Sequence, residues 1–131
     1  MTDQDFVSAL RSQLESLLER YAALIAAQVP GVNWQVNLPS SRIYEVVAIL
    51  TFVRQSDRQT ELVAVSVEST DLTQGTLAID VSDSEGAPLD VGGEPTCDSV
   101  AFDPSNAGTA AQAVEDKLNL WRGQIVRGLQ P

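Results

Sequence analysis

Apolar residues recur at Val7, Leu10, Leu14, Leu17, Tyr21 and Leu24, in steps of three and four between Phe6 and Val29. That is the period of one helix face. Leu18 and Ile25 widen the stripe beyond a coiled-coil seam, so the helix is expected to pack on a sheet or on a second helix of a globular fold. Thr2 with Asp5 three residues on can cap its start, and Pro30-Gly31 stops it. At 1.5 Å per residue the helix runs about 39 Å, comparable with the diameter of a compact chain of this size.

Beyond Gly31 the period changes to two. Trp34 to Leu38 alternates briefly and halts at Pro39. Ile43 to Arg54 predicts a long strand rich in β-branched residues, with Ile43, Val47, Ile49 and Val53 on one face and Tyr44, Val46, Ala48, Leu50 and Phe52 on the other. A strand apolar on both faces is expected to be covered on both sides. Ser56 to Gln59 makes a turn, and Thr60 to Ser69 follows as a strand with Val63, Val65 and Val67 on one face and a wetter opposite face. After a turn region from Ser69 to Gly75, Thr76 to Ser82 places Leu77, Ile79 and Val81 inward and Asp80 outward. Asp83 to Gly86 is a turn signal, Ala87 to Val91 a weak fourth strand that Pro88 confines to the sheet edge, and Gly92 to Ser99 irregular. Asp103-Pro104 predicts a helix opening, with Asp as cap and Pro in the first turn; its stripe is Ala107, Ala111, Val114, Leu118, Trp121 and Ile125. The pattern predicts an α+β fold, an antiparallel meander of three or four strands flanked by a long N-terminal helix and a C-terminal helix, with residues 1–131 as a single globular domain.

Composition is consistent with one ordinary core. A chain of 131 residues buries roughly 65–70% of its unfolded surface, and 44% of these residues are apolar. No apolar run approaches the ~20 residues of a membrane helix. The first residues, Met1-Thr2-Asp3-Gln4-Asp5, are acidic where a secretory signal is basic, and one Cys cannot form an internal disulfide. These features set the expectation of a cytoplasmic protein.

Charge is unevenly distributed. The net charge is −10, and residues 59–116 carry twelve acidic side chains with no Lys or Arg. Such a stretch projects a negative potential that attracts basic partners. It opposes nucleic-acid binding, for which a basic stripe is the expected footprint. Direct nucleic-acid and membrane contacts are therefore not expected.

Chemistry is sparse. With no His there is no imidazole base or ligand. Glu45 interrupts an apolar strand and is the first carboxylate to inspect as an acid or base, although a residue near a strand start equally reaches solvent. Asp80, Asp83 and Glu85 before Gly86 gather oxygen ligands around a turn, but not at the spacing of a calcium loop. Cys97 stands in an acidic loop whose Glu94 and Asp98 disfavour a thiolate. No phosphate-cradling glycine motif is present, and Lys117 lies in a predicted helix. The residues name no cofactor, no metal site and no catalytic group, and the expectation is a non-enzyme.

A strand apolar on both faces and only two helices pose a counting question: if both helices share one face, a second subunit or a partner must bury the other. In size, charge and layout the chain resembles bacterial secretion chaperones and toxin-neutralising immunity proteins, which implies a chaperone-like or inhibitor-type role; no residue motif carries the resemblance. The leading expectation is a protein-interaction domain that uses Asp71, Asp80, Asp83, Glu85, Asp90 and Glu94 to engage a basic partner, in one version by mimicking nucleic acid. The competing expectations are a small-ligand pocket between sheet and helices, lined by Trp34, Tyr44, Phe52 and Trp121, and a structural homodimer formed through an open sheet face.

Overall fold

The computed structural model describes residues 3–39, 45–54, 60–69, 72–89 and 96–130. Helix α1 spans Asp3–Gln28. Strands follow at β1 (Val32–Asn37), β2 (Val46–Arg54), β3 (Thr60–Ser69), β4 (Thr76–Asp83) and β5 (Cys97–Ala101), with a short 3-10 turn at Leu72–Gln74 between β3 and β4. Helices α2 (Ala107–Leu120) and α3 (Arg122–Leu129) complete the order. The five strands form one antiparallel sheet in sequence order. The α+β layout expected from the pattern, a meander between an N-terminal and a C-terminal helix, is therefore observed, with the sheet extended to five strands.

The helices lie on one face of that sheet. Val46, Ala48, Leu50 and Phe52 of β2, Val63, Val65 and Val67 of β3, and Leu77, Ile79 and Val81 of β4 are buried, and cross-strand pairing puts them in common rows: Leu50 opposite Val65, and Val65 opposite Val81. Against this face α1 sets Leu10, Leu14, Leu17, Leu18, Tyr21, Ala22 and Ile25, and α2 and α3 set Ala110, Val114, Leu118, Ile125 and Leu129. Leu24 is the exception to the predicted α1 stripe and is 42% exposed, because the wider face that includes Leu18 and Ile25 rotates it outward. The Phe6 and Phe102 rings stack at 6.0 Å, and the Tyr21 hydroxyl donates to the Leu118 carbonyl at 2.8 Å. Burial pushes the Tyr21 phenol above its usual range.

An odd number of antiparallel strands separates the two long helices, so α1 and α2 run in the same direction. Arg20 meets Glu115 and Tyr21 meets Leu118 with nearly constant offset, as parallel neighbours must. The Lys117 ammonium bonds Asp98 of β5 at 2.6 Å and sits 5.6 Å from the Trp121 ring, tying the sheet edge to α2. Trp121 marks a break between α2 and α3, which divides the single C-terminal helix expected from the sequence.

Three local readings change. The helix cap is Asn106, whose side chain accepts from the Gly108 N–H at 3.0 Å; Asp103 instead accepts from the backbone and hydroxyl of Ser105, building the turn before the helix. Those bonds hold the Asp103 carboxyl below the usual carboxylate range. The weak strand at Ala87 to Val91 reduces, among the described residues, to an isolated bridge from Pro88 to Ser82, and the true edge is β5. Cys97 opens that strand and is exposed; it does not sit in an irregular loop. Thr96 joins the two pieces: buried, it donates to the Val81 carbonyl at 2.7 Å and accepts from the Leu89 N–H at 3.0 Å.

Candidate functional site

Among the described residues nothing packs on the far side of the sheet. The side chains pointing there are Val47, Ile49, Thr51 and Val53 of β2, Ala64, Ser66 and Glu68 of β3, Ala78 and Asp80 of β4, and Cys97 and Ser99 of β5. Val47, Ile49, Val53 and Ala64 are half-buried, and Glu68, Ala78, Asp80, Cys97 and Ser99 are exposed. Against the expectation that β2 is covered on both sides, the described residues cover it on one: parallel α1 and α2 contact each other and share one face, and the two apolar faces of β2 have different neighbours.

Register defines the surface. One row runs Asn37, Ile49, Ser66, Asp80, Cys97 across the five strands, and the next runs Val47, Glu68, Ala78, Ser99 across four of them. Apolar side chains thus occupy β2 and Ala64 of β3, the amides of Asn33, Gln35 and Asn37 border them on β1, and the carboxylates of Glu68 and Asp80 border them on the opposite flank. A bulge between Phe52 and Val53 leaves Leu62 as the extra residue of β3, and its side chain packs against the core. No Lys or Arg lies on this face among the described residues: Arg54 points to the helix side, where it donates to the Leu129 carbonyl at 3.4 Å.

The six acidic residues singled out from the sequence divide. Asp80 stands on the open face. Asp83 and Glu85 form the turn after β4, where the Asp83 carboxylate accepts from the Glu85 and Ala87 N–H groups at 2.9 and 3.0 Å and Gly86 takes a φ of 83°. Asp83 is therefore engaged in holding its own turn, and among the described residues no three carboxylate or thiol side chains converge on a cation position. Asp71, Asp90 and Glu94 lie outside the described residues, as does Tyr44. Glu45 immediately precedes β2 and is half-buried, not embedded in the strand. Sequence reasoning missed Glu68 and Ile49 as parts of one surface; the signal was present in the two-sided apolarity of β2.

The aromatic pocket is not assembled. Phe52 and Trp121 are core residues, and Trp34 lies on edge strand β1, 36% exposed. A shallow groove does run between α1 and α2, lined by Leu17, Arg20, Tyr21, Leu24, Glu115 and Asn119, none of them the predicted lining. The ion pair in it, Arg20 with Glu115 at 3.9 Å, is solvent-exposed and weak. Compared with known proteins, the chain matches no protein-family model and no curated protein sequence.

Proposed function

We propose that this protein is an acidic, non-enzymatic interaction domain that engages a basic protein partner through the open face of its sheet and the turn that follows β4. The observation that carries this reading is the pairing on one surface of half-buried Val47, Ile49 and Val53 with Glu68 and Asp80, unaccompanied by any cation among the described residues. Apolar area supplies affinity, and uncompensated charge supplies partner choice and association rate. A net charge of −10 extends the attraction beyond the contact itself.

The test is retention from the source lysate on the immobilised protein, with washes at about 50 and about 500 mM salt, a severalfold change in screening length. A basic protein should be held at low salt, released at high salt, and held less by a variant with Glu68→Gln, Asp80→Asn and Glu85→Gln. Retention indifferent to both salt and neutralisation sinks the charge reading.

A further inference from the structure

We infer that the occupant of the open sheet face is a single amphipathic helix with an apolar stripe and cations along one flank. The inference rests on the interaction reading above and narrows it to one kind of partner element.

Dimensions and charge both lead there. From Val47 to Val53 the apolar strip advances six residues along β2, about 20 Å at 3.3 Å per residue. That length equals about 13 residues, or between three and four turns, of an α-helix. The strip is centred on β2, which carries Val47, Ile49 and Val53, and reaches β3 at Ala64, opposite Thr51. At about 4.8 Å between strands this matches one helix of about 10 Å diameter. The same sheet already packs helices against its other face, so its twist accommodates them, and a helix here would complete a three-layer arrangement.

The flanks differ chemically. Over β1 the occupant meets the neutral amides of Asn33, Gln35 and Asn37; over β3 and β4 it meets Glu68 and Asp80. A helix with Lys or Arg on only one side of its stripe satisfies both, and the asymmetry fixes its direction along the strands. A second copy of this chain satisfies neither, because it would set Glu68 and Asp80 against the same surface, which carries no Lys or Arg among the described residues, and bring together two bodies of net charge −10.

The experiment titrates the full chain with a synthetic peptide of about 18 residues, Leu at helical spacing on one face and Lys along one flank, followed by amide NMR shifts and by light scattering. Binding should move the amides of β2 and β3 and spare α2. Ile49→Ser, a half-exposed position that the core does not need, should weaken it about tenfold or more, and Glu68→Gln with Asp80→Asn should weaken it and flatten its salt dependence. A peptide of identical composition with the stripe scrambled should bind far less. Equal binding by the scrambled peptide overturns the helix assignment while leaving a basic partner in place. Peptide failure together with lysate capture that Ile49→Ser does not alter also overturns it and moves the interaction to the turn after β4; loss of capture as well takes down the interaction reading itself. A dimer by light scattering that Ile49→Ser dissociates overturns it in favour of self-association.

Discussion

At the scale of single residues, the acidic side chains do different work according to what they touch. Glu68 and Asp80 stand on the open face, Asp83 and Asp103 close turns, and Asp98 is anchored to Lys117. The hydrogen bond from Lys117, then that from the Ser99 N–H, hold the Asp98 carboxyl below the usual carboxylate range. Because its folded value lies below the unfolded one of about 3.9, the stabilisation exists above that pH and is lost as pH falls through the folded value. Asp98→Asn should therefore be less stable than the parent near neutrality, and the difference should shrink towards zero as pH falls below about 4. Urea unfolding at stepped pH measures it; a gap that persists in strong acid would mean that the carboxylate charge contributes nothing.

Among elements, the edge of the sheet depends on one glycine. Gly75 has a φ of 69°, and a Cβ there would lie 2.9 Å from the Phe102 carbonyl oxygen and 3.2 Å from the Pro104 ring. Its carbonyl accepts from the Phe102 N–H at 2.8 Å, which sets the register of β5 on β4. Gly75→Ala combines a left-handed backbone with a backbone collision and should cost about 2 kcal/mol or more, measured by denaturant midpoint. The strand it registers was the element least legible in the sequence. In Cys-Asp-Ser-Val-Ala only Val100 contributes an apolar side chain towards the core, so no alternation announces a strand, and pairing with Thr76–Asp80 supplies what propensity does not. By contrast β2, β3 and β4 alternate or are β-branched throughout and were readable. The cap was misread because Asp103-Pro104 and Asn106 are both good starts, and only the fold shows which one receives the helical N–H. The open face was half legible: β2 declared two apolar sides, but the stripes of α1 and α2 do not encode which side each helix takes.

For the whole molecule, 18 acids against 8 cations leave most carboxylates without an opposite charge. Like-charge repulsion opposes compaction and is screened over a length of about 10 Å at 0.1 M salt. The Tm should accordingly rise by a few degrees between about 10 and 300 mM sodium chloride, a shift calorimetry resolves. A fall would mean that ion pairs such as Lys117 with Asp98 outweigh the repulsion. On the proposed reading, folding and partner capture answer to salt with opposite signs, so conditions that favour the isolated protein are those that release the proposed basic partner.

The parallel course of α1 and α2 bears on how the chain reaches this state during its synthesis. Five alternating strands stand between the two helices, and each hairpin joins neighbours in the sequence. The sheet can therefore grow in the order in which its residues leave the ribosome. Helix α1 emerges before the sheet yet meets α2 after it: Tyr21 must wait for Leu118, 97 residues later. Until then part of the apolar face of α1 has only sheet against it, and a loop of that length must be closed. Helices α2 and α3, translated after all five strands, are thus the elements that seal the core.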